Sequence, residues 1–168
     1  IQCSPNDGML QSMTADPSKH WMVLGTNTGT LSAWDLRFRA PFRTHQTPNQ
    51  TPIHTLTPNL SKKMLSSKAS VLCASQPGEF QLWDLETGNF PFLWEFETSK
   101  GLKSTRGRMP LPAPSPSMGK SEVTVPDTTI RTIFSSPDAS YFLTSGLDKK
   151  IRYWDLEHPD SSYVISGG

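Results

Sequence analysis

Apolar and polar residues alternate along this chain in short runs of period two, interrupted every few residues by Gly, Pro, Asn or Asp. Such alternation sends every second side chain to the same face of an extended segment, so each run predicts a β-strand. Three runs stand out: Thr30-Leu31-Ser32-Ala33-Trp34-Asp35-Leu36, Glu79-Phe80-Gln81-Leu82-Trp83-Asp84-Leu85 and Lys150-Ile151-Arg152-Tyr153-Trp154-Asp155-Leu156. Each ends in Trp-Asp-Leu, and each follows another apolar run across a tight turn. The preceding runs are 21–24, 71–74 and 141–144; the turns are Asn27-Thr28-Gly29, Gln76-Pro77-Gly78 and Asp148-Lys149-Lys150. Two extended runs joined by turn-forming residues read as a hairpin. Long apolar stripes of period 3.6 are absent, which limits helix to a turn or two.

The third unit shows the whole pattern. Upstream of its hairpin, Ile130–Phe134 forms a further strand that stops near Pro137, because proline cannot donate to a ladder. Downstream, 162–165 supplies a fourth. Four strands in about 40 residues is the period of a propeller blade. The chain is therefore predicted all-β, a partial WD40 β-propeller of about three four-stranded antiparallel blades. The first blade occupies 1–47 and is partial at its N-terminus, the second 48–97 and the third 127–168. A complete ring of this kind needs more blades, so the 168 residues, starting at Ile1 and ending at Gly167-Gly168, are read as a segment of a longer chain.

The repeats are unevenly spaced: Trp83 lies 49 residues after Trp34, and Trp154 lies 71 after Trp83. An insertion at 98–126 accounts for the surplus. Its stretch 98–121 holds Lys100, Lys103, Arg106, Arg108 and Lys120, no acid, and a proline-rich run from Pro110 to Pro116. With few large apolar residues to offset ordering entropy, it is predicted to lack regular structure. Its alternating prolines give polyproline II character without a Pro-x-x-Pro spacing, and Ser115-Pro116 is a plausible phosphorylation site.

In WD blades a Trp of the third strand joins a hydrogen-bonded network with a second-strand hydroxyl, an Asp of the intervening turn and a His ahead of the first strand. A buried indole N–H needs a partner, and a satisfied network stiffens the blade. The Asp belongs six residues before the Trp, and only the third unit has one, Asp148, with Thr144 or Ser145 as the hydroxyl. Thr28 and Pro77 stand at the matching positions of the other units, and no His stands just before Ile130. A partial network is expected in the third blade and apolar packing in the others. Trp34, Asp35, Trp83, Asp84, Trp154 and Asp155, with Asp148 and Thr144, are accordingly read as structural.

Little else in the chain points to chemistry. Nucleophile-elbow, phosphate-loop, zinc-protease and kinase motifs are missing, and His20, His45, His54 and His158 are scattered. No catalytic residue, metal or cofactor is assigned. Cys3 and Cys73 make neither a disulfide framework nor a zinc cluster, so a reducing compartment is the default. The sequons at Asn49 and Asn59 are read as chance matches. A net charge of +1 gives no field for nucleic acid or membrane, and no apolar run reaches the roughly 20 residues of a membrane span. The one candidate interaction element is Arg37-Phe38-Arg39. Two arginines around an aromatic suit a carboxylate or phosphate partner; the plainer reading is an exposed turn whose Phe38 tucks into the blade.

The segments Gly29–Phe38 and Asp148–Ile165 resemble the C-terminal propeller of the regulatory subunit of class III phosphatidylinositol 3-kinase, of the vacuolar-sorting and autophagy family. The match rests on Trp-Asp-Leu-Arg-Phe at 34–38, Trp-Asp-Leu-Glu-Thr-Gly at 83–88, the long loop before the last repeat and the Tyr163-Val164-Ile165 ending. It spans roughly 9–97 and 127–166 and leaves the insertion out. The resemblance implies a scaffold that binds protein subunits of the lipid-kinase complex. The setting it implies is cytoplasmic, peripheral on endosomal, vacuolar or pre-autophagosomal membranes, with no nucleic acid. The family's serine/threonine-kinase-like domain has no counterpart in these residues. The alternative is a WD adaptor of another class, a ubiquitin-ligase receptor or a chromatin or RNA-processing scaffold.

Overall fold

The computed structural model describes residues 8–47, 50–59, 69–75, 79–97, 101–106, 129–138, 140–155 and 163–166. Among them there is no helix, and the strands form three antiparallel sheets in which sequence neighbours pair. The first sheet is β1 (Leu10–Ala15), β2 (Trp21–Thr26), β3 (Thr30–Asp35) and β4 (Ala40–Gln46), in that order. The second is β5 (Thr55–Pro58), β6 (Ser70–Ala74), β7 (Glu79–Asp84), β8 (Phe92–Glu97) and β9 (Gly101–Arg106). The third is β10 (Ile130–Ser135), β11 (Tyr141–Gly146), β12 (Ile151–Asp155) and β13 (Tyr163–Ser166). Three successive up-and-down sheets stacked face to face make a partial β-propeller of about three blades.

Two expectations need correction. The first blade has all four strands, so it is not partial. Residues 101–106, inside the stretch expected to lack regular structure, form β9, which pairs with β8 from Phe92↔Arg106 to Glu97↔Gly101. Gly101-Leu102-Lys103-Ser104-Thr105-Arg106 lies next to an edge whose ladder bonds offset the ordering cost that composition alone leaves unmet. The remainder of the insertion, including Lys100, Arg108, Ser115 and Lys120, lies outside the described residues, as do Cys3, Asn49, Pro77 and His158.

The alternation along β6 and β7 explains the stacking. Val71, Cys73, Trp83 and Leu85, with Leu56 of β5, pack with Trp21, Val23, Leu31 and Ala33 of the first blade and with Ile53 of the connecting segment. Their neighbours Leu72, Ala74, Phe80 and Leu82, joined by Phe92 and Trp94, pack with Ile130, Ile133, Phe142 and Trp154 of the third. One residue of register thus separates the two interfaces. The second interface is largely aromatic. Phe80 stacks on Trp94 at 4.8 Å and meets Trp154 edge-on at 4.9 Å, and Trp94 meets Phe142 edge-on at 5.6 Å. Polar ties cross both seams: Ser12 Oγ donates to the Ile53 carbonyl at 2.8 Å, and Thr57 Oγ1 to the Ile133 carbonyl at 2.7 Å.

Phe80 is fully buried. Phe80→Ala is expected to lower unfolding free energy by about 3–5 kcal/mol through lost transfer energy and the cavity left behind. Phe38→Ala, at a side chain 75% exposed, should stay within about 0.5 kcal/mol. Urea melts of a protein containing the whole propeller, with each substitution in turn, measure both values.

Candidate interaction site

The two residues of each Trp-Asp pair divide the work. Trp34, Trp83 and Trp154 all lie on strands and are all buried. Trp83 packs toward the first sheet and Trp154 toward the second. Trp34, one position out of phase with Leu31 and Ala33, lies on the face of the first sheet turned away from the second. Every one of the three indoles therefore points toward the preceding side of its blade. The aspartates cap the turn that follows. Asp35 Oδ1 accepts the N–H groups of Arg37 at 2.9 Å and Phe38 at 3.3 Å. Asp84 Oδ1 accepts the N–H of Glu86 at 3.0 Å, while Thr87 Oγ1 donates to Oδ2 at 2.7 Å. A short carboxylate at the first position of a turn satisfies backbone donors that a strand end otherwise leaves open. Asp155 stands at the same place at the end of β12, ahead of residues outside the described set.

The third blade holds its indole as expected in one respect and not in another. Trp154 Nε1 donates to Thr144 Oγ1 at 2.9 Å, so Thr144 and not Ser145 is the hydroxyl. Asp148 was expected to complete the indole's network through the turn. Its carboxylate is instead engaged by Arg152, whose guanidinium donates to both oxygens, and by the Lys150 N–H at 3.2 Å. Both side chains of this ion pair are buried, 1% exposed for Asp148 and 8% for Arg152. Burial by itself raises the Asp148 pKa, but the Arg152 and Lys150 bonds outweigh it and hold the carboxyl below its ordinary value. Arg152 was missed in the sequence because it sits two residues ahead of the Trp on a strand that otherwise reads as apolar. The signal that was available is the acid–base spacing of four across a turn. In the other blades Trp34 Nε1 and Trp83 Nε1 are buried without an acceptor, in keeping with apolar packing there.

The turn between β3 and β4 carries the candidate contact residues. Arg37 donates from Nε to Asp35 Oδ1 at 3.2 Å and from Nη2 to Oδ2 at 2.6 Å, and its guanidinium stands 5.4 Å from the centre of the Phe38 ring. The Arg37 bond holds the Asp35 pKa down at about 2. Phe38 does not tuck into the blade: it projects into solvent, because its neighbours are committed to capping and to the ion pair. Arg39 is exposed and adopts a left-handed backbone, φ 55°. Beside this turn, at the same end of the sheet, lies the turn between β1 and β2, tied to it by the Leu36 N–H donating to the His20 carbonyl at 2.9 Å. It presents exposed Lys19, also left-handed at φ 62°, and His20, whose Nδ1 lies 3.3 Å from Asp16 Oδ2. Lys19 joined the patch only through folding, since 18 residues separate it from Arg37.

The remaining candidates do not converge. His45 is half-buried against Phe90 at 4.6 Å and Trp83 at 6.4 Å, and burial lowers its pKa. Asn59 is buried, donating from Nδ2 to Ser70 Oγ at 3.0 Å, which leaves its side chain unavailable to a glycan. Arg43, which the sequence did not single out, crosses between blades and donates to the carbonyls of Leu85 and Glu86 at 2.9 Å each. Among the described residues no group of His, Cys, Asp and Glu is placed to hold a metal, and no helix is long and apolar enough to cross a membrane.

These features define a class: a β-propeller segment whose polar side chains are spent on turns and seams, with one exposed basic and aromatic end. No protein-family model matches the chain. It is similar to serine/threonine-protein kinase VPS15 of Arabidopsis thaliana, 29% identical over 188 residues that take in 99% of this chain and 12% of that protein. It is also similar to the probable serine/threonine-protein kinase vps15 of Dictyostelium discoideum, 47% identical over 34 residues, 20% of this chain and 2% of that protein. The chain thus spans only a small fraction of these relatives, and the kinase in their names describes proteins far longer than the β-sheets seen here.

The buried ion pair sets an expectation different from that of an indole network. Asp148→Ala leaves a buried guanidinium short of its carboxylate and should cost about 3–5 kcal/mol. Thr144→Val, which deprives the Trp154 N–H of its acceptor, should cost about 1–3 kcal/mol. The sign with pH follows from the depressed carboxyl. Its stabilisation is complete above the unfolded value of about 3.9 and is lost as pH falls through the lower folded value. Chemical denaturation of the whole propeller at neutral and acidic pH measures all three, and the deficit of Asp148→Ala should shrink in acid.

Proposed function

We propose that this chain is a scaffold segment of a regulatory subunit of the class III phosphatidylinositol 3-kinase complex, acting in autophagy and endosomal or vacuolar sorting. The observation that carries the reading is the similarity to the plant VPS15 protein along 99% of the chain. The propeller geometry supports a binding role over a chemical one. Buried or half-buried polar groups such as Trp154 Nε1 and the Arg43 guanidinium bond within and between blades, and its histidines face different surroundings. A propeller presents loops from several blades on rigid edges, which suits holding protein subunits together. In this reading the partners are protein subunits of the lipid-kinase complex, and the membrane association, on endosomal, vacuolar or pre-autophagosomal surfaces, is peripheral and comes through the assembly. The Trp-Asp positions then serve as WD-repeat framework residues and have no direct contact with a ligand.

The test is affinity purification of the tagged full-length protein, followed by a phosphatidylinositol 3-kinase assay on the eluate. Lipid-kinase activity should co-purify, and it should fall to background when Phe80→Asp disrupts the seam between the second and third blades. Co-purification of cullin-ligase or chromatin subunits without lipid-kinase activity would replace this reading with that of a WD adaptor of another class.

A further inference from the structure

The turns that close the third strand of the first two blades occupy the same place in the fold, yet they are built from opposite materials. In the second blade Trp83-Asp84-Leu85 runs into Glu86-Thr87-Gly88. There Thr87 adds a hydroxyl bond to the capping carboxylate, and Gly88 takes the left-handed position at φ 80° without steric cost. In the first blade Trp34-Asp35-Leu36 runs into Arg37-Phe38-Arg39. Phe38 replaces the bonding threonine with an exposed ring, and Arg39 occupies the left-handed position that glycine holds in the sister turn. Left-handed backbone at a residue with a Cβ is disfavoured. Other non-glycine residues adopt it here, including Gln50 and Lys149. Among the described residues, however, it is at 37–39 that a turn with a described sister turn has neither its hydroxyl bond nor its glycine and leaves a large apolar side chain exposed. Strain and exposure that the fold does not require point to a requirement outside the fold.

We propose that the end of the first blade formed by Lys19 and Arg37–Arg39 is a protein-docking surface, which takes an apolar side chain flanked by carboxylates. Phe38 supplies the apolar anchor. Arg37, paired to Asp35 and standing over the ring, holds Phe38 in place and is largely neutralised. Lys19 and Arg39 have no ion-pair partner among the described residues, so they are the cations left to meet acids on the partner. Two such cations and one aromatic are too little for a stable hold on an anionic bilayer, which takes a cluster of roughly four to eight basic residues. They suffice as the anchor and rim of a protein contact. The surface goes beyond the scaffold reading and depends on it only in that a protein partner exists. Its occupant is defined by chemistry and is the same for any adaptor.

The full-length protein is assayed for binding to synthetic peptides carrying Leu or Phe between Asp and Glu residues. Controls are the same peptides with Lys in place of the acids and, separately, phosphatidylcholine–phosphatidylserine vesicles. The acidic peptides should bind, more weakly as salt rises, and the basic ones should not. Phe38→Ala and Arg39→Gly should each weaken binding about tenfold, the size of a typical anchor contact. Arg39→Gly also relieves the turn, so its melting temperature should hold or rise while its binding falls, a split that a purely structural residue cannot produce. Unchanged binding in both variants, equal binding of the basic peptides, or Phe38-dependent binding to vesicles alone would overturn the proposal. None of those results bears on whether lipid-kinase activity co-purifies.

Discussion

Both faces of the second sheet are apolar, and that single condition organises everything around it. A strand with four successive apolar side chains cannot rest with one face in water, so β6, apolar from Val71 to Ala74 and buried at all five positions, demands a neighbour on either side. The neighbours comply in phase. The first blade offers Val23, Leu31 and Ala33 to one face, and the third offers Ile133, Phe142 and Trp154 to the other. A one-residue slip of β7 would exchange its two faces, sending Trp83 into the seam that Trp94, Phe142 and Trp154 line and taking Phe80 away from those rings, so hydrophobic packing fixes the register as well as the stacking. The polar ties across the seams, Ser12 to Ile53, Thr57 to Ile133 and Arg43 to the carbonyls beyond β7, then orient sheets that burial has already brought together.

Within that frame the buried tryptophans are not equivalent. Trp154 has a hydroxyl for its N–H, and Trp34 and Trp83 have none. A buried N–H without an acceptor costs free energy. Trp83 offsets the cost with area: it is fully buried and lies parallel to Phe90 at 6.0 Å. The third blade has the same indole and adds a second buried polar arrangement, the Asp148–Arg152 pair, in the turn beside it. Breaking such a pair from one side is costly even where forming it contributes little, so the pair resists substitution more than it adds stability.

Much of this was legible in the chain. Alternation, turn residues and three Trp-Asp-Leu endings sufficed for the all-β architecture, for the strands of the three hairpins and for a second-strand hydroxyl, Thr144 or Ser145, as a partner of Trp154, which the structure resolves to Thr144. Three things were not legible, each for a physical reason. β9 was hidden because a strand added at an edge draws its stability from ladder bonds, which leave no trace in a basic, weakly apolar composition. Arg152 was hidden because a cation on a buried strand reads as an error until its acid, folded back across a turn, is seen beside it. The position of Phe38 was misjudged because hydrophobicity argues for burial of any phenylalanine, whereas the capping bonds of Asp35 determine where the chain goes and leave the ring outside.

The exposed surface at the far side of the third blade is of another kind from the Phe38 turn. One register row crosses all four strands there, Phe134 to Leu143 to Tyr153 to Tyr163. Tyr141, Tyr153 and Tyr163 stack at 5.2 and 5.1 Å, with Phe134 and Ile151 exposed beside them. This row occupies the positions that Leu72 and Leu82 fill in the second blade, where they meet the face bearing Trp154. Position in the fold therefore marks it as a stacking face, the surface on which a blade is laid, and broad apolar faces of this sort drive association wherever they are left open. The Phe38 turn has no such counterpart. Its sister turn in the second blade is polar, capped and closed by glycine, and nothing in the stacking of sheets calls for a ring in water between two arginines. The two exposed aromatic regions are thus separated by the same test: whether the repeat itself already has a use for the position.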